Sequence, residues 1–182
     1  MKTKYFKNLE ILRKKIDLYK DSSSHDIKKL LTIRKQLQKK ETMKSKLCSI
    51  EKLKQWKFVD GKIKHISNQF FTVQGVQIKN AKREVANWEQ VILNQPHGGV
   101  LALLVRETKK NGIEFLLHLR SEPGDKGIKF CPTFSATQSN MNQAHGGKKP
   151  DLFDIFIKGK GSKIISKSKH NEEGARFWQK KN

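Results

Sequence analysis

The sequence predicts an α+β fold in which basic helices precede a domain with a mixed or antiparallel sheet. Residues 1–48 are rich in lysine, contain no glycine or proline, and carry apolar residues at helical spacing. From Ser49 the pattern changes to short apolar segments separated by turn residues. Two of these segments flank Asp60-Gly61, which is a strong hairpin signal. We therefore predict a helical N-terminal arm at 1–48 and a sheet domain at 49–182.

The arm is expected to form two basic amphipathic helices. Leu9, Leu12 and Ile16 recur on one face of the first helix. The segment 21–24 offers N-cap residues for a second helix from about Asp26 to Lys40. These helices are expected to pack on the domain or on a partner subunit, and an arm that binds nucleic acid or membrane is the alternative.

Several strands are expected after the arm. The hairpin joins 57–59 to 62–64, and a further strand is expected at 69–74. The apolar run Val100–Val105 predicts a strand buried on both faces. Alternation predicts another strand at Ile113–Arg120. The pattern of 151–157 does not distinguish a helix from an extended segment.

A short strand interrupted by Pro132 is expected at 130–138. Together with the strands before it, this segment completes the predicted sheet domain.

The composition indicates a basic protein of the cytoplasm. The formal net charge is +22, which attracts nucleic acid, anionic lipid or phosphate-bearing small molecules. Lysine is spread along the whole chain, so a generally basic surface is the alternative. Cys48 and Cys131 have neither CxxC spacing nor a nearby histidine cluster, which favours reduced thiols.

No secretory signal or membrane association is expected. The basic start of the chain is not followed by an uninterrupted apolar region. No window approaches the roughly 20 apolar residues of a membrane span.

The motifs of several common enzyme classes are absent from the sequence. It has no Walker A loop, GxGxxG, HExxH or GxSxG motif, and no glutamate-rich metal helix of the Nudix type. The sequence therefore predicts neither a metal site nor a cofactor. Polar residues gather instead in three clusters, which are Lys82-Arg83-Glu84 with Trp88, His118-x-Arg120-x-Glu122-Pro123-Gly124, and Pro132-Thr133 through Thr137, Ser139 and Asn140 to His145.

These clusters suit a nucleotide sugar, although each has a structural alternative. An arginine beside an aromatic ring can pair with phosphate oxygens while the ring stacks on a base. Histidine and glutamate are the side chains expected for proton transfer on a sugar. Alternatively, Trp88 belongs to the core, Glu84 forms a surface ion pair with Arg83, and His118 is solvated.

Five blocks of residues resemble the NDP-hexose 2,3-dehydratases in order and approximate spacing. They are His65-Ile-Ser67-x-x-Phe70-Phe71-x-Val73-x-Gly75, Arg83-Glu84-Val85-x-x-Trp88-x-Gln90, Glu122-Pro123-Gly124, Pro132-Thr133-x-x-Ala136-Thr137-x-Ser139-Asn140, and Glu172-Glu173-Gly174-x-Arg176-Phe177. The resemblance extends from about Trp56 to Phe177. It departs at Asn68-Gln69, where the family has Gly-Arg, and at Lys82, where it has Gly.

The resemblance implies a fold distantly related to Nudix hydrolases but without their metal helix. It also implies a nucleoside-diphospho-4-keto-6-deoxyhexose substrate and a homodimeric enzyme of deoxysugar biosynthesis that needs no redox cofactor or metal. Family members carry two such repeats in tandem, so we expect this chain to be one repeat, with a second repeat encoded separately or supplied by a second copy. The N-terminal arm has no counterpart in the five blocks.

The resemblance and the chemistry of the residues together nominate a set of site residues. His65, His118 and Glu122 are the acid–base candidates, with their roles left open. Arg83, Arg120 and Arg176 are candidates for the diphosphate, and Trp88 for stacking on the base. Thr137, Ser139 and Asn140 are candidates for hydrogen bonds to sugar hydroxyls.

Two other functions compete with the dehydratase hypothesis. The first is a non-catalytic repeat that binds a nucleotide sugar or a partner subunit. The second is a nucleic-acid-binding module, which is disfavoured because the sequence lacks aromatic-interleaved basic patches and any recognised DNA-binding motif.

Overall fold

A computed structural model describes residues 2–19 and 27–182 of the chain. Its α-helices are α1 (Lys2–Tyr19), α2 (Ile27–Lys40), α3 (Gln138–Met141) and α4 (Phe153–Phe156), and Ile50–Lys52 form a short 3-10 helix. Its strands are β1 (Trp56–Val59), β2 (Lys62–His65), β3 (Thr72–Ile78), β4 (Trp88–Asn94), β5 (Gly99–Ala102), β6 (Leu104–Thr108), β7 (Gly112–Leu116), β8 (His118–Arg120), β9 (Lys129–Cys131) and β10 (Phe134–Thr137). None of the helices described is long and apolar enough to cross a membrane.

Both helices predicted in the arm are present. Leu9 and Ile16 lie on α1 but are only partly covered, and α2 has no buried residue. Lys39 and Lys40 occupy the last turn of α2, where positive charge complements the helix dipole. The N-cap residues expected at 21–24 lie outside the described residues.

A four-stranded antiparallel sheet has the order β1-β2-β3-β4. The predicted hairpin is confirmed, because Trp56 pairs with His65 and Val59 with Lys62. Asp60 and Gly61 both have positive φ, at 53° and 70°, as a two-residue type I′ turn requires. The strand expected at 69–74 begins three residues later.

Strand β4 was not expected from the sequence. It pairs with β3 along its whole length, from Trp88 opposite Ile78 to Asn94 opposite Thr72. Its Ile92 is one of the buried apolar side chains among the described residues. The segment looks weakly apolar because its outward-facing positions are polar or exposed, such as Glu89 and Val91.

The prediction of one strand buried on both faces at Val100–Val105 is wrong. The run divides into β5, which pairs with β10, and β6, which pairs with β7. Leu103 lies between them, and the Leu104 amide donates to the Thr133 hydroxyl at 2.9 Å. Leu101 is 65% exposed, so the run is apolar without being buried.

The strand predicted at Ile113–Arg120 is likewise divided. Strand β7 pairs with β6, whereas β8 pairs with β9, and Leu117 separates them. The Thr133 hydroxyl donates to the carbonyl oxygen of Leu116 at this break. Thr133, which is 4% exposed, therefore bridges both breaks through one hydroxyl group.

The structure also shows the conformation of the segments predicted at 130–138 and 151–157. Pro132 lies between β9 and β10, as its position in the predicted strand suggested, and α3 follows at once. Residues 153–156 are helical. Phe156 of this helix packs against the buried Phe134, with 5.1 Å between ring centroids.

The chain forms two compact units. Unit 1 contains Met1–Lys46, Leu101–Ser135 and Pro150–Ser168, and unit 2 contains Leu47–Val100, Ala136–Lys149 and Lys169–Asn182. Phe134 and Ile128 are the buried apolar side chains described in unit 1, and Ile92 and Ala136 those in unit 2. Every strand pair with a defined register is antiparallel, and helices are few, so the predicted α+β class is confirmed.

Candidate active site

Unit 2 contains a cluster of aromatic rings and histidines that we call the His65 cluster. It consists of Trp56, His65, Phe70, Phe71 and His145. The ring of His65 meets Trp56 edge-on at 5.5 Å and Phe70 edge-on at 4.6 Å, measured between centroids. Phe70 also lies 4.6 Å from His145, and Trp56 lies 4.9 Å from Phe71. Two imidazoles thus flank one phenyl ring.

Both ring nitrogens of His65 make hydrogen bonds. Its Nδ1 receives the backbone N–H of Ser67 at 3.2 Å and lies 2.8 Å from the Ser67 hydroxyl. Its Nε2 lies 3.1 Å from Oε1 of Gln55. Because a backbone N–H can only donate, Nδ1 is the acceptor, and Nε2 carries the proton of the neutral ring. His65 therefore presents its N–H to Gln55 and has its lone pair occupied by Ser67.

His145 has the complementary arrangement. Its Nε2 lies 3.1 Å from Oδ1 of Asn140, an oxygen that can only accept, so Nε2 carries the proton. Among the described residues no group bonds to Nδ1, and the side chain is exposed. The Nδ1 lone pair of His145 is therefore available to accept a proton.

Asn140 is positioned by the start of α3. The Thr137 hydroxyl accepts the Asn140 amide at 3.3 Å, as an N-cap residue does, and lies 2.8 Å from the Ser139 hydroxyl. The three predicted sugar-binding residues Thr137, Ser139 and Asn140 are therefore adjacent in space. They are half-buried and connect to His65 through His145 and Phe70.

The second and fifth blocks also meet in unit 2. The side chain of Gln90 donates to the carbonyl oxygen of Ala175 at 2.8 Å and accepts from Nε1 of Trp88 at 2.8 Å. Leu93 exchanges backbone hydrogen bonds with Arg176 and Trp178. The half-buried ring of Trp88 is thus positioned by Gln90, and the closing motif lies along β4.

The arginines of these two blocks point to solvent. Arg83 lies on the exposed loop between β3 and β4 and has no partner among the described residues. Arg176 is 74% exposed, and its Nε lies 3.3 Å from Oε2 of Glu173. Both guanidinium groups are accessible to an anionic ligand.

A buried lysine holds the C-terminal segment in place. Lys180 is 7% exposed, and its Nζ lies 3.3 Å from Oε1 of Glu172 and 4.6 Å from the centroid of the Phe177 ring. Hydrogen bonds from Asn182 and then Lys180 hold the pKa of Glu172 below its ordinary value, against the effect of burial. The Asn182 side-chain oxygen also accepts the Gly99 amide at 2.7 Å.

The other three predicted residues lie in unit 1. His118 and Arg120 are on β8, opposite Cys131 and Lys129. The guanidinium of Arg120 pairs with Glu122 at 2.7 Å and donates to the Ser135 carbonyl at 3.3 Å, while its buried Nε has no partner. Arg120 and Glu122 are therefore engaged with each other.

The structure thus separates the candidates into two groups. Unit 2 contains His65, Arg83, Trp88, Thr137, Ser139, Asn140 and Arg176, and unit 1 contains His118, Arg120 and Glu122. Sequence reasoning did not nominate His145, Gln55 or Lys180. His145 ended the third polar cluster, so its position was visible. Nothing distinguishes Lys180 from the other lysines. In the part of the chain that the structure describes, no three His, Cys, Asp or Glu side chains are grouped to hold a metal ion.

In unit 2, the His65 cluster brings two imidazoles and an aromatic surface together with the amide of Asn140. The sequence profile of the family described as NDP-hexose 2,3-dehydratase matches residues 27–182, and the chain belongs to this family. The match begins at the start of α2, so it includes residues 27–48 of the arm, which lie before the five blocks.

Three curated relatives are each described as a dTDP-4-dehydro-6-deoxy-alpha-D-glucopyranose 2,3-dehydratase. The protein of Saccharopolyspora spinosa is 33% identical over 136 residues, which cover 72% of this chain and 28% of the relative. That of Amycolatopsis orientalis is 31% identical over 138 residues, covering 71% and 29%. That of Streptomyces violaceoruber is 30% identical over 125 residues, covering 67% and 28%. The chain thus spans less than a third of the length of these relatives.

Proposed function

We propose that this chain acts, alone or as one repeat of a larger assembly, in the 2,3-dehydration of a nucleoside-diphospho-4-keto-6-deoxyhexose. The observation that carries the proposal is the juxtaposition of His145 and His65 around Phe70, beside Asn140, in a member of this family. The reaction would be a carbon–oxygen lyase step in deoxysugar biosynthesis.

The reaction needs a base, an acid and a donor to the enolate oxygen. The C4 ketone acidifies the C3 proton, which a base removes to give an enolate. The enolate expels the C2 hydroxyl, which leaves as water after protonation by an acid. Tautomerisation then gives the 2-deoxy-3,4-diketo sugar. Every step is a proton transfer or an elimination, so the chemistry can be carried by side chains.

We assign the base to His145 and the acid to His65. The Nδ1 lone pair of His145 is open, and Asn140 holds the tautomer that exposes it. His65 already carries a proton on Nε2, where Gln55 accepts it. A sugar hydroxyl that displaced Gln55 would receive that proton from the doubly protonated ring, in which Nδ1–H donates to the Ser67 hydroxyl oxygen. The ring would then return to its neutral form as the C2 hydroxyl leaves as water.

We assign substrate recognition to the exposed groups of unit 2. Arg83 and Arg176 are accessible for the diphosphate, and Trp88 is the candidate ring for the base. Thr137, Ser139 and Asn140 would bond the sugar hydroxyls. His118, Arg120 and Glu122 remain candidates from the family resemblance. The ion pair between Arg120 and Glu122 supports a positioning role for them rather than contact with substrate.

The finer features that the resemblance implies are part of the same proposal. They are a Nudix-like fold without the metal helix, an arm–domain boundary at Ser49, a cytoplasmic location, no requirement for a metal or redox cofactor, and assembly as a homodimer or with a separately encoded repeat. Assembly is supported by the exposure of large apolar side chains, including Phe58 at 75% and Val91 at 73%.

A non-catalytic repeat that binds a nucleotide sugar or a partner subunit is the alternative function. The observation that favours it is the chain's coverage of less than a third of each relative. A catalytic repeat and a binding repeat differ in one observable step, which is removal of the C3 proton.

Exchange of that proton tests the assignment. The chain is incubated in D₂O with dTDP-4-keto-6-deoxyglucose, and loss of the C3 proton signal is followed by NMR with chelator present. We expect enzyme-dependent exchange that His145→Gln reduces by about a hundredfold or more. His97→Gln, an exposed histidine outside the cluster, should leave it unchanged.

Two results would overturn the assignment. Equal exchange in His145→Gln and wild type would remove His145 as the base. Binding of the nucleotide sugar without any exchange, measured by calorimetry on the same sample, would establish the non-catalytic alternative for the isolated chain.

A further inference from the structure

We propose that unit 1 contains an oligophosphate-binding site in what we call the basic groove. The groove has a volume of about 470 Å³ and is lined by Arg34, Lys35, Gln38, Lys39, Lys126, Gly127, Ile128 and Lys129. It contains none of the residues assigned to the dehydratase reaction, and the proposal does not rest on that function.

One wall of the groove is a face of α2. Arg34 and Gln38 are four positions apart, as are Lys35 and Lys39, so the members of each pair are neighbours on the helix surface. All four side chains line the groove, and three of them are cations. Arg34 is half-buried, whereas Lys35 and Lys39 are exposed.

The opposite wall is the loop before β9, and it is fixed to α2. The side-chain oxygen of Gln38 accepts the backbone N–H of Ile128 at 2.6 Å. Gly127 has φ +147°, and a Cβ there would lie 2.1 Å from the same oxygen. Glu41 adds a second connection, because it accepts the hydroxyl of Ser121. The groove is thus built by specific contacts.

Acidic groups offset little of the positive charge in the groove. Lys129 pairs with Asp125, whose pKa this hydrogen bond lowers, so the aspartate stays ionised. Glu41 also has a lowered pKa, mainly because of its bond from Ser121. The other four lining cations, Arg34, Lys35, Lys39 and Lys126, have no carboxylate partner among the described residues. The C-terminal end of α2 contributes a partial charge of only about −0.5.

The lining identifies the class of ligand. Four converging cations match a chain of phosphate groups, and the volume is that of a small-molecule site. No lining residue is aromatic, so the site offers no ring on which a base could stack. The ligand is therefore recognised through its phosphates, whether inorganic or carried by a nucleotide.

Calorimetry with inorganic tripolyphosphate tests the proposal on the full chain at low ionic strength. We expect one site, with an affinity that falls as salt rises. The double variant Arg34→Ala, Lys126→Ala should weaken binding by about a hundredfold, since each of the two charge-assisted contacts is worth roughly a factor of ten. Lys35→Ala, Lys39→Ala should do the same. Lys57→Ala, Lys62→Ala removes the same charge from the exposed β1–β2 hairpin and should have no effect.

Further arms distinguish the sources of phosphate. ATP and GTP should bind equally, because the groove has no base-reading group, and both should compete with tripolyphosphate. Three results would overturn the proposal. They are equal weakening in the hairpin control, absence of saturable binding, and a short DNA duplex that binds more tightly than tripolyphosphate and loses affinity equally in all three variants.

Discussion

The hydroxyl of Thr133 should stabilise unit 1, because it bonds to the backbone at the start of β6 and at the end of β7. It accepts the Leu104 amide at 2.9 Å and donates to the Leu116 carbonyl, and the side chain is 4% exposed. Thr133→Val keeps the shape but leaves both backbone groups without their partner. An unpaired buried group costs about 1–3 kcal/mol.

The magnitude follows from the exposure of the two backbone groups. Leu104 is half-buried and Leu116 is 49% exposed, so water can reach part of each. The lower end of the range therefore applies to each group, and we expect a total loss of about 2 kcal/mol. For a chain of this size that corresponds to a fall in Tm of about 4–8 °C.

The assay must report on unit 1. All three tryptophans lie in unit 2, so their fluorescence does not follow this region. Thermal melting by far-UV circular dichroism measures the loss, and hydrogen exchange of the Leu104 amide localises it. Thr133→Ser, which keeps the hydroxyl and deletes a methyl, should cost about 1 kcal/mol and preserve protection of that amide. If Thr133→Val is no worse than Thr133→Ser, the hydroxyl is not what stabilises these breaks.

Four further predictions concern the C-terminal segment, the glycine packed against it and the arm. Lys180→Met should lower the free energy of unfolding by about 2 kcal/mol. This loss is smaller than for a fully buried ion pair, because Glu172 is partly exposed and keeps its hydrogen bond from Asn182. Lys181→Met, at an exposed lysine, is the control. Because the pKa of Glu172 is lowered, its contribution is complete above the ordinary glutamate pKa and is lost as pH falls through the lowered value, so the wild-type advantage over Glu172→Gln should disappear in acid. Gly98→Ala should cost about 1–3 kcal/mol in urea unfolding, because a Cβ would lie 2.3 Å from the Lys181 carbonyl oxygen, whereas Gly75→Ala meets no atom within 4 Å. A chain that begins at Ser49 should still unfold cooperatively by far-UV circular dichroism, and a gradual transition would place part of the arm in the folding unit.

Local signals predicted the elements that depend on local chemistry. Asp60-Gly61 predicted the first hairpin correctly because two consecutive positive φ angles demand those residues. Leu9, Leu12 and Ile16 predicted α1 because apolar residues three and four positions apart share one face of a helix. Strand β4 was missed because its outward positions are polar, and Val100–Val105 was predicted as one strand because an apolar run does not reveal a change of pairing partner.

The sequence predicted only those parts of the candidate site whose residues are neighbours along the chain. Thr137, Ser139 and Asn140 are close in sequence, so their adjacency in space follows from one helix start. The contact of Phe70 with His145 joins positions 75 residues apart and depends on tertiary packing. Which ring nitrogen carries the proton depends on Ser67, Gln55 and Asn140 together, and no pattern in the sequence encodes that.

Loss of water from the substrate tests the central claim most directly. The full chain is incubated with dTDP-4-keto-6-deoxyglucose in chelator, and the nucleotide sugar is analysed by mass spectrometry over time. We predict a product lighter by one water, formed in proportion to enzyme and suppressed in His145→Gln but not in His97→Gln. A substrate whose mass stays unchanged, while calorimetry shows that it is bound, would contradict the dehydratase account and leave this chain as a binding repeat.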